Sequence, residues 1–458
     1  MAGLTLDSGA ESFATRTTAV ADLATELGLG ERITSPDPSG AWVWLPDGPV
    51  PLPRTGILGI PSDLQAPEVR AALGRSGVLR AALDARLPAT LGTTEPVCSV
   101  AELVRARMGQ RVLDRLVAPV VAGVHSADPE LLDVDMVAPG LREGIRKHGS
   151  LAAAVASLRA GGAASEADAA GSKATTAADG TTPPGASGAR PGSAVGGLIG
   201  GMNTLVAALL AELRAKDVEL LSGRNVTKIS RRGTTWQVNW THDGHAESAD
   251  AELLVVATDG PTAVRLLGGE LPELAPLAPA AGPDIRLVTL VVDVPELDSK
   301  PRGTGILVAP QTPGITAKAL THATAKWEWL ADETGPGTHV LRLSYGRVGN
   351  VAADAVRLAA RTYTDAEMLA FALADSTTLL GVPVTASDVL GWDVVRWRGA
   401  LPFAAVGHKA RIAQVRELAR KTPGLLLTGG WLAGNGLAAV VADARAQVGQ
   451  WLAAHPEM

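Results

Sequence analysis

The amino-acid sequence predicts an α/β chain, α+β overall, in which three textures follow one another. Residues 62–160 are helix-rich. Residues 285–346 run in short β-branched or alternating stretches separated by Pro and Gly, as an antiparallel sheet with one solvated face requires. Leu253-Leu-Val-Val-Ala-Thr258 is an uninterrupted apolar run, the pattern of a parallel-sheet strand covered on both faces. At 458 residues and 46% hydrophobic content, the chain can bury more than one core, since domains usually hold roughly 100–200 residues.

In chain order, helices are expected at 17–27, 63–73, 77–86, 110–118 and 141–159, with Gly, Pro or Asp/Asn at most of the breaks. Ser99-Val-Ala-Glu102 has the spacing of a capping box, in which the Ser hydroxyl and the Glu carboxylate each satisfy a free backbone N–H; Val100, Leu103, Val104 and Met108 then share a face. Ala160 to Gly192 is a Gly/Ala/Ser/Thr/Pro tract without apolar periodicity, expected to be a disordered insertion because it cannot bury enough surface to offset its ordering entropy. Beyond it, Gly200-Gly-Met-Asn203 leads into a helix at 204–214, followed by short strands at 218–221, 225–231, 234–240 and 246–249. Pro261 opens a short helix after the 253–258 strand, at a position where its missing N–H costs nothing. Antiparallel strands are expected at 285–294, 305–308, 316–322 and 339–345. Thr364-Asp-Ala-Glu367 is a second capping box, starting a helix to about Leu380. A strand at 387–397, a helix at 408–421, a strand at 425–428 and a helix from about 436 to 452 complete the chain.

The formal net charge of −6 gives no bulk attraction for nucleic acid or anionic lipid, so any anionic ligand has to be met by a local Arg or Lys cluster. Cys98 is the single cysteine; it cannot form an internal disulfide, and no Cys/His group has zinc spacing, so no metal is expected. A reducing, cytoplasmic setting follows as the expectation, with no secretory leader and no apolar run of membrane-spanning length. Peripheral membrane contact stays open, and composition says nothing of oligomeric state.

Several local patterns, in order and spacing, resemble the flavin-dependent porphyrinogen oxidases, the family of bacterial coproporphyrinogen III oxidase and protoporphyrinogen oxidase. They are Asp7-Ser-Gly-Ala-Glu-Ser-Phe13, Leu45-Pro-Asp-Gly-Pro-Val-Pro-Leu-Pro53 with Gly59-Ile-Pro61, Leu116-Val-Ala-Pro119 with Gly123-Val124, Gly200-Gly-Met202, Ala257-Thr258, Ala400-Leu-Pro402 with Gly407-His408, and Gly429-Gly-Trp-Leu-Ala-Gly-Asn-Gly-Leu437. The resemblance implies a Rossmann-like FAD/NAD(P)-binding domain formed by 1–40, 193–275 and 400–458, an antiparallel-sheet substrate domain formed by 41–61 and 276–399, a helical lobe at 62–160 and a linker at 161–192. The family opens with a strand, a GxGxxG turn and a helix that hold the ADP half of FAD. That unit is not in this sequence, so the domain is expected to be N-terminally incomplete. Either the gene begins upstream of Met1 or this is a short form; the first is favoured, because the buried-type strands 253–258 and 425–428 require neighbours. As written, the chain is expected to bind FAD poorly or not at all. Gly434-Asn-Gly436-Leu-Ala-Ala439 satisfies GxGxxA, but no second strand or acidic residue follows at the required distance.

The resemblance also implies site residues. Gly9, Ala10, Glu11 and Ser12 should line the flavin side, the Val226 backbone should meet the FAD adenine, and Gly430, Asn435, Gly436 and Leu437 should form the C-terminal flavin contacts. The implied reaction transfers hydride from a porphyrinogen carbon bridge to flavin N5, with O₂ reoxidising the flavin. The cofactor carries the hard chemistry, so no catalytic side chain is expected. The implied substrate, coproporphyrinogen III, carries four propionates, for which Arg54, Lys318, Lys326, Arg396 and Arg398 are candidate partners. Ala41 stands where relatives often place a cationic anchor. Trp42, Trp44, Trp327, Trp329 and Trp397 are candidate walls for a planar tetrapyrrole, with core packing as the alternative for most. His125, His322 and His408 read as lone structural histidines. A protoporphyrinogen oxidase, a flavin amine oxidase or desaturase on the same fold, and a flavin-free tetrapyrrole-binding protein remain alternatives.

Overall fold

A computed structural model describes residues 1–54, 56–160, 195–347, 363–399 and 404–456. Most of the linker expectation and the Ala400-Leu-Pro402 motif lie outside the described residues.

The alternating segments form a seven-stranded sheet in the spatial order Val389–Trp397, Ile285–Asp293, Thr338–Tyr345, Ala319–His322, Gly305–Val308, Trp42–Leu45 and Gly48–Pro51. Every pair is antiparallel except Gly305–Val308 with Trp42–Leu45. The two-residue alternation sends Val288, Leu290, Val292, Leu341, Leu343 and Tyr345 to one face, where they pack with Met368, Ala372 and Leu379 of the helix Asp365–Leu380. Both halves of the expected capping box start that helix: Glu367 N–H donates to Thr364 Oγ1 at 3.3 Å, and Thr364 N–H to Glu367 Oε2 at 2.8 Å. Val291 and Arg342 point to the opposite face, toward the first residues of the chain.

The helical lobe has its own core, built from Val69, Leu73, Leu103, Val104, Leu116, Leu141 and their neighbours. Pro67–Ala82 is interrupted at Gly74 (φ 64°), which separates two helices as the sequence implies. The expected 110–118 helix instead runs on to Val124: Gln110–Val112 passes through a π turn, Leu113–Val117, into Ala118–Val124. The expected 141–159 helix breaks at Gly149 in a left-handed cap. At the centre of the lobe Arg107, fully buried, donates to Asp84 Oδ1 at 2.6 Å and to the carbonyls of Pro88, Leu91 and Gly149. Asp84 Oδ2 in turn accepts from Ala152 N–H at 3.0 Å.

The remaining described residues form smaller sheets. Phe13–Ala14 and Ile33–Thr34 flank Val195–Leu198; Asn225–Arg232, Thr235–His242 and His245–Ala251 form an antiparallel meander; Leu254–Val256 pairs in parallel with Leu425–Leu427. Two expectations are corrected. Residues 218–221 are not a strand: Asp217 takes φ 56°, Val218 N–H closes on Leu213 O at 3.0 Å, and the chain leaves the helix Asn203–Ala215 as an exposed turn. The 253–258 strand is not covered on both faces, since Val256 is buried while Val255 is 44% exposed. Among the described residues its only strand partner is Leu425–Leu427.

Candidate active site

The turn 7–12 is pinned from two sides. Asp7 accepts from Met202 N–H and Asn203 N–H, both at 2.8 Å, so a carboxylate satisfies free donors at the N-terminus of the Asn203–Ala215 helix. Gly201 makes this contact possible: at φ 89° its missing Cβ would lie 2.9 Å from Asp7 Oδ2. From the other side, Arg342 donates to Glu11 Oε1 at 2.5 Å and to Gly9 O at 2.8 Å, and Lys326 lies 3.4 Å from Glu11 Oε2. Trp397 Nε1 donates to Ser8 O at 2.9 Å. Burial pushes the Glu11 carboxyl up, but the charges of Arg342 and Lys326 outweigh it and hold the group ionised below its ordinary 4.5. Glu11 and Lys326, expected on the flavin and substrate sides respectively, are thus paired directly, and Glu11 joins Lys326 to Arg342, a residue the sequence did not single out, in one largely buried triad. Ala10 is exposed, and Gly9 and Ser12 are half-buried beside the triad.

The second flavin-contact candidate is the C-terminal turn. After Leu425–Leu427, a short helix Gly430–Ala433 is followed by Gly434 (φ 100°), Asn435 and Gly436 (φ 111°), and then by the helix Leu437–Ala454. No heavy atom lies within 4 Å of where a Cβ would stand on Gly434 or Gly436, so their outer side is open backbone. Asp443 braces the turn, accepting from Arg416 at 2.6 and 2.7 Å and from Thr428 Oγ1 at 3.1 Å. Leu437 packs inward with Phe13, Leu198 and Met202. Val226 sits apart on the meander, packed in the cluster around Trp236 and Val256.

Asn435 joins this turn to the helical lobe, its Nδ2 lying 3.4 Å from His125 Nδ1. Burial lowers the His125 imidazole to about 4, so it is neutral. Asn435 Oδ1 is buried without a partner among the described residues. His125 ends the Ala118–Val124 helix, whose Gly123 lets it lie directly on the sheet; a Cβ there would meet Leu307 Cδ2 at 2.7 Å. Ala118, Ala122 and Ala127 of this segment form one wall of a cavity of about 590 Å³, and Ala309, Pro310, Gln311 and Arg347 form another.

Of the expected substrate cations, Lys318 is buried and reaches Ser126 beside this cavity. The others are not brought together with it. Arg54 is exposed and donates to Ser39 O at 3.3 Å; Arg396 is paired with Asp365 at 2.5 Å; Arg398 is exposed at the end of the Val389–Trp397 strand. The five tryptophans do not form one wall: Trp327 is buried under Gly197, Trp42 carries Arg302 over its ring at 5.0 Å, and Trp397 is spent on Ser8. The reading of lone histidines is corrected. His322 Nε2 meets His339 Nδ1 at 3.0 Å, His408 Nε2 meets Trp431 O at 2.9 Å, and His125 meets Asn435. Periodicity carries no signal for such contacts, which join residues up to 310 positions apart.

An open glycine turn feeding the N-terminus of an 18-residue helix, with an unpaired amide oxygen beside it, suits the flavin and pyrophosphate of FAD, because backbone N–H groups and the helix dipole both favour an anion there. Fold and site define a flavin oxidoreductase. The family of flavin-containing amine oxidoreductases matches residues 1–447, and the chain belongs to it; FAD is its cofactor. Coproporphyrinogen III oxidase of Bacillus subtilis (strain 168) is 26% identical over 97% of this chain and 86% of its own length. Its counterpart in Mycobacterium leprae (strain TN) is 29% identical over 96% of this chain and 86% of its own. A crystal structure assigned as a protoporphyrinogen oxidase, from Exiguobacterium sp. 255-15, superposes with a TM-score of 0.74 over 98% of this chain and 88% of that one, at 24% identity. No helix among the described residues is long and apolar enough to cross a membrane, and none of their acidic, His or Cys side chains cluster as metal ligands.

Proposed function

We propose that this enzyme oxidises a porphyrinogen of haem synthesis, converting coproporphyrinogen III to coproporphyrin III with O₂ as the electron acceptor. The observation that carries the reading is the cavity of about 590 Å³ lined by Ala118, Ala122 and Ala127, on the segment whose His125 meets Asn435, within the range of roughly 300–1,000 Å³ that encloses small ligands. Its lining sets Arg105, Arg111, Arg115 and Arg347 against Asp114, Asp128 and Glu130, a balance that leans positive and so toward a polycarboxylate. Arg347 on its wall and Lys318 behind it have no carboxylate partner among the described residues, and a cationic amine would be repelled by both. The whole-length likeness to coproporphyrinogen III oxidases agrees with this substrate class.

Bound FAD supplies the hydride acceptor. Gly434, Asn435, Gly436 and the N–H groups opening the Leu437–Ala454 helix would hold it, with turn 8–12 braced opposite by Arg342 and Lys326. The sheet and the 118–127 segment orient the macrocycle and exclude water. Three rounds remove three hydrides from carbon bridges and three protons, two from pyrrole nitrogens and one from the fourth carbon bridge, all released to solvent, so no side chain is assigned as a proton acceptor.

The test is the purified holoprotein supplied with coproporphyrinogen III. Porphyrin fluorescence should appear together with H₂O₂ in air and fail without oxygen, while flavin occupancy is read from the visible absorbance. Turnover of an amine with no porphyrin formed would sink the reading.

A further inference from the structure

On the cavity wall Arg347, and behind it Lys318, carry charge that no carboxylate among the described residues neutralises. Lys318 is 3% exposed, and its ammonium nitrogen meets the hydroxyl of Ser126, itself fully buried. Ser126 has a φ of 54°, a left-handed conformation unfavourable for any residue with a Cβ, so the backbone is bent to bring that hydroxyl inward. Arg347, on the cavity wall, donates to the carbonyl of Ala317, next to Lys318, at 3.4 Å. Among the described residues, the two cations are therefore held near each other by neutral oxygens.

The acids nearby are committed elsewhere. Asp375, on the helix behind the sheet, accepts from Thr316 N–H at 3.2 Å and Ala317 N–H at 2.8 Å. Along the cavity Asp114 accepts from Gln110 at 2.7 Å, Glu130 pairs with Arg105, and Asp128 accepts from Glu130 N–H at 2.9 Å. A buried cation without an anion is costly, and two side by side are more so. A carboxylate of the ligand would supply the counter-charge that the described residues do not.

We propose that Lys318 and Arg347 form a seat for one carboxylate of the cavity's ligand, on the reading that this ligand is a tetrapyrrole polycarboxylate. Ligand binding at this seat is proton-linked. Burial, with the like charge of Arg347 behind it, lowers the Lys318 ammonium to about 7, whereas Arg347 stays charged, lowered by burial only to about 10. A carboxylate reverses both effects on Lys318, so just above neutrality its arrival draws one proton onto the amine, and affinity falls as pH rises through the value of the free protein. The other groups facing this corner do not titrate there: His125 is neutral down to about 4, and burial beside Asp375 pushes the Tyr345 hydroxyl well up.

The experiment is calorimetric titration of the FAD-loaded protein just above neutrality, in two buffers of different ionisation enthalpy, with coproporphyrin III, its tetramethyl ester and propionate alone. Wild type should take up a proton with coproporphyrin III and with propionate but not with the ester. Lys318→Met should lose that uptake and bind coproporphyrin III about tenfold or more weakly, whereas Lys318→Arg should bind it without uptake and without pH dependence. Coproporphyrin III binding Lys318→Met as tightly as wild type, with the same proton uptake, would overturn the seat and leave the tetrapyrrole reading standing. Propionate uptake that depends on Lys318, with no coproporphyrin III binding at all, would support the seat and overturn the tetrapyrrole reading.

Discussion

Replacing Arg342 by Met tests whether the 7–12 turn is held by charge. The substitution keeps the volume of the stem but removes the donors to Glu11 Oε1 and Gly9 O at 2.5 and 2.8 Å. Glu11, 13% exposed at its side chain, is left with Lys326 at 3.4 Å. Removing one partner of a buried ion pair typically costs 3–5 kcal/mol, and because Lys326 remains, the lower end, about 3 kcal/mol, is expected. Much of that cost is the stranded carboxylate, so Arg342→Met with Glu11→Gln should lose less than the sum of the two single changes, with a coupling of about 2 kcal/mol. The pH dependence follows from Glu11, whose folded value lies below its ordinary 4.5. The stabilisation is fully present above about 4.5 and is lost as pH falls through the folded value. Denaturant unfolding of the four proteins of the cycle, at neutral pH and at intervals below 4.5, reads both effects. A coupling under about 0.5 kcal/mol, or a wild-type advantage that does not shrink in acid, would refute the argument.

Three further outcomes are expected. Asp84→Ala strands the fully buried Arg107 guanidinium and should cost about 3–5 kcal/mol by denaturant unfolding, with the helical lobe losing amide protection first. Gly436→Ala, at φ 111° with open space outside, should strain the turn by roughly 1–3 kcal/mol and place a methyl on the proposed flavin-facing side, lowering flavin occupancy at equal protein concentration. Ser99→Ala removes the acceptor for Glu102 N–H at 3.1 Å and should cost about 1 kcal/mol, read as a lower thermal midpoint with the fold unchanged.

Much of the architecture was legible because the signals are local. Both capping boxes are in place, Gly74 breaks a helix where the apolar pattern lapses, and the alternation across 285–346 sorts one face of the large sheet against its helix. The resemblance brought attention to the 7–13 and 429–437 turns, and in the second Gly429, Gly434 and Gly436 take the positive φ that favours glycine. Local signals failed where an element's fate depends on a distant neighbour. Leu253–Thr258 has the apolar run of a covered strand, yet covering is a property of what lies beside it, and Val255 stands half exposed. The 110–118 helix did not stop where expected because Pro119 follows directly on the π turn Leu113–Val117, where the regular hydrogen-bond ladder is already interrupted.

By itself, then, the sequence determined the helices, strands, caps and turn residues, since these answer to interactions within a few positions: periodicity, side-chain capping and backbone sterics. Only the tertiary structure decided which charges meet. Asp7 finds the amides of Met202 and Asn203, Arg342 finds Glu11 331 positions away, and Lys318 finds Ser126 rather than a carboxylate. A cation's chemistry is set by what it is buried against, because inside the protein the low dielectric makes a partner, or the want of one, worth more than any local preference. Five cations stood out in the sequence as equals; burial beside a cavity, without a carboxylate partner among the described residues, is what sets Lys318 apart from Arg54, Lys326, Arg396 and Arg398.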